Sequence, residues 1–577
     1  MLGLMIVGCA QPASDNSGNS NENTSEKASA DHEHLWGTSW EYDANNHWHK
    51  CLYTTCDEMK DVAPHEFGEW QDIKPSQLSG AAQYAYCNPK IRRCATCSYY
   101  EVDGTNILPE LRFTTDVATD VSFATTAKKD DISRPEVSGK LSITNCSDEF
   151  KATDLVCGMK VRGNQTAGWS KKAFRLKLDK KKNLLGLNGG KEFKKWVLFA
   201  DAKDTTLVRS ALGLYLSKAV IKDGDNVWSS DFTPVTVYLN DEYWGFYYLA
   251  EQKEVKAGRV MLPEVDEDYT GTDIGYCFEL DFYATDERKK GAEADATFDF
   301  TYSPKIIHGD TGSAPLAQGD ISTYTLLSDI TDSTGGGATT DKNSNQVKFI
   351  RKRLESLYTV LYNAAINKTA KDIDSSGNVV STSKTVRQVM EEHFNLGSWA
   401  AGMIINAFTC PPDLGYSSFY MSYDNSAKGD KKLRFDVPWD FDSNFGNRNN
   451  FITNADQLYV DKTHNMWIQL FTKIDFFMND YVKPRWNTIR DEKAFEGMMT
   501  MMKQHFADND LEIQRNHYKW PQNDAAHQPP NNFDEIRDPY KNPDQYKEAE
   551  KETISWCVKR VNYLEKQWGN GRPNMTA

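Results

Sequence analysis

Pro438-Trp439-Asp440-Phe441-Asp442-Ser443-Asn444-Phe445-Gly446 is the stretch on which the reading of this chain turns. Two acids stand two residues apart between aromatic side chains, and Phe-Gly closes the run. An apolar run with this ending holds carboxylates rigidly at the mouth of a core. Rigid paired carboxylates suit Mg²⁺ bound to nucleotide phosphate. An exposed acidic turn after a buried strand has the same spelling, so the stretch needs support from elsewhere. That support lies upstream, in Arg162-Gly163-Asn164-Gln165-Thr166 and in Lys171-Lys172-Ala173-Phe174-Arg175-Leu176-Lys177-Leu178. Phe174, Leu176 and Leu178 share one face of a strand, and Arg175 and Lys177 share the other. Two cations on an open strand face beside a Gly-Asn turn form either a phosphate cradle or a solvated β face.

Alternation predicts strands over 108–115, 140–144, 159–166, 174–178 and 196–200. A helix is expected from Asp204, a good N-cap, through Leu212, Leu216 and Val220. Residues 234–239 and 243–249 read as a hairpin about the turn Asn240-Asp241, closed by Glu251-Gln252. The polar stretches 333–345 and 370–385 read as surface insertions. Apolar spacing then predicts helices over 350–365, 386–394, 399–408, 466–477, 491–505 and 554–568. A β-rich half, one helix, a hairpin and a helical half make an α+β chain with the outline of a two-lobed kinase.

The 577 residues allow several domains and a sizeable core. A net charge of −15, spread along the chain, argues against nucleic acid as a partner. Apart from the start, no run approaches the ~20 apolar residues of a membrane helix. Ile6-Val7-Gly8-Cys9 resembles a bacterial lipoprotein cleavage site, in which the cysteine takes the lipid. Residues 10–31, rich in Ser, Asn and Glu, suit a flexible tether behind such an anchor. The expectation is an exported protein whose only membrane contact is a lipid on Cys9.

Residues 32–103 hold Cys51, Cys56, Cys87, Cys94 and Cys97 together with His32, His34, His47, His49 and His65. A segment this small needs a metal or disulfide staple. Interleaved His and Cys favour a zinc-ribbon-like module, with disulfides as the alternative. The expected Zn²⁺ ligands are Cys51, Cys56, Cys94 and Cys97, with Cys87 and His65 as substitutes; His32 and His34 read as linker. The module is similar to small Cys/His repeats of bacterial surface proteins, although its Cys-x₄-Cys spacing differs from their Cys-x₂-Cys. Cys146 and Cys157 are candidates for a hairpin disulfide. Cys277, Cys410 and Cys557 are expected as buried thiols.

Several ordered motifs carry a resemblance to one family. They are Arg162-Gly163-Asn164, Lys171 to Arg175, Trp196-Val197-Leu198, Asp204 with Arg209, Asn240 to Tyr247 with Glu251, and Pro438 to Asp442 with Phe445-Gly446. From about residue 108 to 568 the chain resembles the spore-coat-H-type (CotH) kinases, described as atypical secreted or surface protein kinases that use ATP and divalent metal. The resemblance implies transfer of a γ-phosphoryl group to a Ser or Thr hydroxyl. It assigns Arg162, Lys172, Arg175 and Lys177, singly or together, to the phosphates, and Glu251 to an inter-lobe hinge at the adenine. It gives Asp440 the metal, with Asp442 as helper, and Asp413 the role of catalytic base. Ser418 stands where the family shows an Asn metal ligand, and the helix after Asp204 has no Glu for the usual lysine–glutamate pair. These departures leave a non-catalytic surface binding protein as the alternative, and the aromatic residues of the Trp-containing N-terminal module add a structural or carbohydrate-adhering lipoprotein as a third reading. The implied organisation is 1–9 signal remnant, 10–31 linker, 32–103 Cys/His module and 104–577 kinase-like domain, with protein substrate and oligomeric state open.

Overall fold

The architecture comes from a computed structural model that describes residues 33–53, 56–74, 77–78, 85–117, 121–126, 134–163, 165–266, 269–281, 297–303, 321–327, 345–447, 454–521 and 546–576. The signal-like start with Cys9, the tether 10–31, His32, Asn164 and nearly all of the insertion 333–345 lie outside the described residues. Among the described residues no helix is long and apolar enough to cross a membrane.

The N-terminal module is two small antiparallel sheets. One holds β1 (Glu41–Tyr42), β2 (Asn46–Lys50) and β3 (Met59–Pro64). The other holds β4 (Gln71–Asp72), β5 (Lys90–Arg93) and β6 (Tyr100–Asp103). Among the described residues its own apolar cluster contains Leu78 and Ile91 as its buried members, too little to hold two sheets by burial alone.

The β-rich part of the body closes into a barrel. Its strands are β7 (Glu110–Thr115), β8 (Val137–Thr144), β9 (Ala152–Arg162), β10 (Ala173–Lys182), β11 (Phe193–Phe199), β12 (Phe232–Leu239) and β13 (Glu242–Glu251). Their order around the barrel is β10-β11-β13-β12-β7-β8-β9, with β7 and β12 the one parallel pair. Phe174, Leu176 and Leu178 point into the barrel core, as their alternation requires. Residues 196–199 of β11 and 243–250 of β13 read as unbroken apolar runs because both faces are covered there. Trp196, Leu198, Tyr247 and Leu249 fill the barrel, while Val197, Phe199, Phe246 and Tyr248 pack on the second core outside it.

That second core joins the helices to a sheet of order β15-β16-β14-β19-β20. These strands are β14 (Gly275–Leu280), β15 (Thr297–Thr301), β16 (Ile321–Leu326), β19 (Phe419–Asp424) and β20 (Leu433–Asp436); the separate hairpin β17 (Lys371–Ile373) and β18 (Val379–Ser381) occupies the polar stretch 370–385. The C-terminal half is therefore mixed rather than mainly helical. The helix Leu396–Thr409 is buried all round, which explains its lack of a polar face.

Local physics moves some expected boundaries. The helix assigned to Asp204 starts at Arg209. Asp204 still serves it, because its carboxylate accepts the Val208 and Arg209 N–H groups at 3.0 and 2.8 Å from the preceding turn. The single helix expected over 466–477 is broken into Met466–Thr472 and Asp475–Phe477. Cys146 and Cys157 are free thiols. The β8–β9 register pairs Ile143 with Ala152 near the turn and Gly139 with Cys157 farther along. Four strand residues separate those rungs, about 13 Å, well beyond the ~7 Å Cα limit for a disulfide. Cys277, Cys410 and Cys557 are buried thiols, as expected.

Candidate active site

β20 runs straight into Pro438-Trp439-Asp440, and its last residue anchors the turn. Asp436 is buried, where it accepts the Trp228 and Val437 N–H groups at 3.0 and 2.8 Å and the Ser422 hydroxyl at 2.7 Å. Burial raises its pKa despite these bonds. Trp439, Phe441 and Phe445 are buried, whereas Asp440 is exposed and Asp442 intermediate. The aromatic residues thus seat the turn and leave the carboxylates at its mouth. Phe445 N–H donates to Thr409 C=O at 2.8 Å, fastening the turn to the end of the helix Leu396–Thr409.

Strain marks the same place. Val437, Asp440, Phe445 and Ser418 all adopt positive φ, at 46, 64, 53 and 59°. Such backbone costs on the order of 1–3 kcal/mol per residue and persists where the surrounding packing dictates it.

A cavity of about 260 Å³ opens here, between the barrel and the second core. Arg162 at the end of β9 lines it, with Asp201, Lys253, Glu279, Asp413, Ser418, Asp440, Asp442 and Asn444. The Arg162 guanidinium lies 5.4 Å from the ring centroids of both Phe199 and Trp439. Burial pulls its pKa down, and the charges of Asp440, Glu279 and Asp442 pull it back up. Lys253 and Glu279 form an ion pair at 3.1 Å, each side chain largely shielded from solvent. The other Glu279 oxygen accepts the Ser418 N–H at 3.2 Å, and the Ser418 hydroxyl donates to Asp440 Oδ2 at 3.2 Å. Arg162, Lys253, Glu279, Ser418 and the two aspartates thus form one charged cluster.

Asp413 also lines the cavity. Its carbonyl accepts the Tyr416 and Ser417 N–H groups at 2.7 and 3.0 Å, so the loop between Thr409 and Ser418 is a tight turn. Asp201 is buried and accepts the Ser210 hydroxyl at 2.6 Å. Burial, then the nearby Asp204 and Asp442, push its carboxyl up to about 7. Burial likewise pushes the neighbouring Lys171 ammonium down, and its Nζ donates to Ala200 C=O at 2.6 Å. Asn444 is fully buried against the cavity, and neither its Oδ1 nor its Nδ2 meets a hydrogen-bond partner among the described residues. A buried carboxamide left so costs about 1–3 kcal/mol unless something else fills its bonds.

Of the residues expected from sequence, the structure gathers Arg162, Asp413, Ser418, Asp440 and Asp442. Four others are placed elsewhere. Lys172 is buried, with Nζ donating to the carbonyls of Ala167 and Trp169 at 2.9 and 2.7 Å, so it closes the turn before β10. Arg175 and Lys177 lie on the outward face of β10 and pair with Glu136 at 3.2 and 3.9 Å. Glu251 is buried among Asn188, Asp231 N–H and Arg259, at 2.6, 2.9 and 3.4 Å, a structural network rather than a hinge contact. The helix after Asp204 has no Glu, and the cavity instead carries a lysine–glutamate ion pair between Lys253 and Glu279. Sequence reading missed both, and Asp201 and Asn444 as well. Glu279 did leave a signal, as a lone acid in the apolar run Tyr276-Cys277-Phe278-Glu279-Leu280. So did Asn444, which continues the alternate spacing of Asp440 and Asp442.

The expected set of four zinc thiolates also divides. Cys94 and Cys97 group with His47 and His65, whereas Cys51 and Cys56 group with His34. Cys87 belongs to neither group and donates to Glu512 Oε2 at 2.5 Å. His34 is no linker residue, since its Nδ1 lies 3.5 Å from Cys56 Sγ.

No curated protein matches the chain. A family model described as CotH kinase protein matches residues 159–564, a span that begins inside β9 and takes in every residue lining the cavity. With most of its length matched, the chain belongs to the CotH kinase protein family.

Proposed function

We propose that this protein is a metal-dependent atypical kinase that moves the γ-phosphoryl group of ATP to a Ser or Thr hydroxyl of a protein at the cell envelope or outside it. The barrel is its first lobe, and the helices with the five-stranded sheet are its second. The observation that carries the reading is the cavity between them, where Arg162, Lys203 and Lys253 share the lining with Asp440 and Asp442 of a strained turn.

The donor set fits Mg²⁺, a hard cation that takes oxygen ligands. Asp440 and Asp442 would hold it, Asn444 supplies a carboxamide in want of a partner, and the bound ion would neutralise phosphate charge. Arg162 and Lys253 bring positive charge to the phosphates, and Glu279 fixes Lys253 in place. Asp413 accepts the proton of the attacking hydroxyl as its oxygen bonds to the γ-phosphorus and the bridge to the β-phosphate breaks. Ser418 orients Asp440 through its hydroxyl and so occupies the family's Asn position in a positioning role. The alternative, a binding protein that holds nucleotide without transferring phosphate, draws on the same Ser418. Export with a lipid on Cys9 belongs to the proposal too, and Cys9→Ser should move the protein to the soluble fraction.

The test is calorimetry of ATP binding with and without Mg²⁺, paired with transfer of labelled γ-phosphate to a Ser/Thr-rich protein. The parent should bind only with metal, Asp440→Asn should not bind, and Asp413→Asn should bind yet turn over at least about 100-fold more slowly. Binding that survives both chelation and Asp440→Asn would sink the site. Metal-dependent binding without transfer to any acceptor would favour the alternative.

A further inference from the structure

We propose that His47, His65, Cys94 and Cys97 form a tetrahedral Zn²⁺ site that ties the two sheets of the N-terminal module together.

The ligand atoms of these four residues all lie within 4.8 Å of one another. Cys97 Sγ is 3.4 Å from His65 Nδ1, and Cys94 Sγ is 3.9 Å from His47 Nδ1. With Zn–S near 2.3 Å and Zn–N near 2.0 Å, the S···N edge of a tetrahedron is about 3.5 Å, so the two edges bracket the required length. Two imidazoles and two thiolates leave the site neutral, which suits a place where His47 and Cys94 are buried.

The surroundings are already set for metal. His65 Nε2 lies 3.0 Å from the Asp43 carbonyl. A carbonyl can only accept, so that nitrogen carries the proton and the Nδ1 lone pair is left toward the cysteines. The Thr96 and Tyr99 N–H groups donate to Cys94 Sγ and Cys97 Sγ, each at 3.4 Å. Backbone donors aimed at sulfur favour the thiolate form, the form a metal binds. The His65 ring stacks on Tyr99 at 4.3 Å, which holds its plane.

The ligands come from both sheets. His47 is on β2 and His65 follows β3, whereas Cys94 and Cys97 occupy the turn between β5 and β6. With two buried residues in the module's own apolar cluster among the described residues, a metal joining the sheets supplies the constraint that this core does not. The set differs from four thiolates, because Cys51 and Cys56 are grouped with His34 instead.

The decisive sample is the full chain purified without chelator, assayed for bound zinc. The parent should carry at least about one equivalent, and Cys94→Ser/Cys97→Ser should lose about one. Cys51→Ser/Cys56→Ser should keep that equivalent, and X-ray absorption on this variant should show two sulfur and two nitrogen neighbours at about 2.3 and 2.0 Å. A parent without zinc overturns the proposal, as does zinc unchanged in Cys94→Ser/Cys97→Ser, or its complete loss in Cys51→Ser/Cys56→Ser. If the cysteine variants fail to fold, Co²⁺ bound to the parent chain decides. Tetrahedral ligand-field bands with two-thiolate intensity support the site, and a four-thiolate spectrum overturns it.

Discussion

Asn444 is the residue whose state demands an explanation. It is fully buried, and its carboxamide meets no partner among the described residues, beside a cavity rimmed by Asp440 and Asp442. A group kept for a ligand and not for the fold should show opposite effects on stability and binding. Asn444→Leu, which keeps the branched outline and whose greater bulk can extend into the adjoining cavity, removes an unpartnered polar group and should leave stability equal or raise it by up to about 1–3 kcal/mol. The same change should weaken metal-dependent ATP binding. Denaturant titration and calorimetry on one preparation check both; lost stability with unchanged affinity would mean the carboxamide serves the fold. At this scale the sequence was a partial guide. Asp413, Ser418, Asp440 and Asp442 were legible because one turn and one loop carry them. Lys253 and Glu279 were not, because Glu279 meets the Ser418 loop only through β14 lying beside β19, a contact across more than a hundred residues. Arg175 and Lys177 misled because strand alternation shows that two side chains share a face, not which object the face meets.

Elements position the turn by close approach. Gly213 lies in the middle of the helix Arg209–Val220, where glycine costs roughly 1 kcal/mol relative to alanine. A Cβ there would overlap the ring of Phe441, which is itself buried between Asp440 and Asp442. Gly213→Ala should therefore cost about 1–3 kcal/mol by overpacking, despite better helix propensity, and should also weaken ATP binding by shifting the turn. Equal or higher thermal stability with unchanged affinity would show that the ring does not bear on the helix. A second contact supports the same helix from the other side. His517, on the helix Asp510–Lys519, lies with Nε2 2.9 Å from Thr205 C=O in the turn that leads into it. Burial pushes the His517 pKa down to about 4 from 6.5, ahead of smaller effects. The folded ring stays neutral while the unfolded ring protonates, so the unfolded chain binds more protons between those values. Its contribution is complete above pH 6.5 and falls as the pH drops toward 4. His517→Gln, which keeps a donor near the ε position, should make stability less steeply dependent on pH across 4–6.5; an unchanged slope in denaturant titrations would place the linkage elsewhere. Elements were the most legible level of the sequence. The strands of the barrel and the hairpin β12–β13 appear near where they were expected, although β9 ends at Arg162, short of the expected 166, and β13 was marked by the turn Asn240-Asp241 rather than by alternation. The strands β14, β16, β19 and β20 escaped, since they are buried almost throughout and offer little alternation to read, whereas β15 escaped although Phe298 and Phe300 alternate with Asp299 and Thr301.

Across the whole molecule, one buried cation joins three parts that the sequence separates. Arg515 donates to Ala85 C=O in the N-terminal segment at 2.9 Å, to Tyr238 OH on β12 at 2.8 Å, and to Asn106 Oδ1 at 2.9 Å. It pairs with Glu512 at 3.2 Å, and neither side chain reaches solvent. Glu512 in turn accepts from Cys87, Thr236 and Tyr243 at 2.5, 3.0 and 2.9 Å. Burial and the Glu512 charge raise the Cys87 thiol pKa well above its ordinary value, so it stays a donor. The division at residue 103 thus runs through a network, because Ala85 and Cys87 dock on the body. Removing one member of a buried ion pair leaves the other uncompensated, which typically costs about 3–5 kcal/mol, whereas replacing both costs far less. Arg515→Met should therefore destabilise the full chain by about 3–5 kcal/mol. Glu512→Gln/Arg515→Met should recover much of that loss, since the amide still accepts from Tyr243 and Thr236 without a stranded charge. A double variant as unstable as Arg515→Met in denaturant titration would mean that Arg515 acts through its bonds to Ala85 and Asn106 and not through its charge. Cutting the chain before residue 105, which removes the Ala85 bond and keeps Asn106, should then reproduce part of the loss on its own.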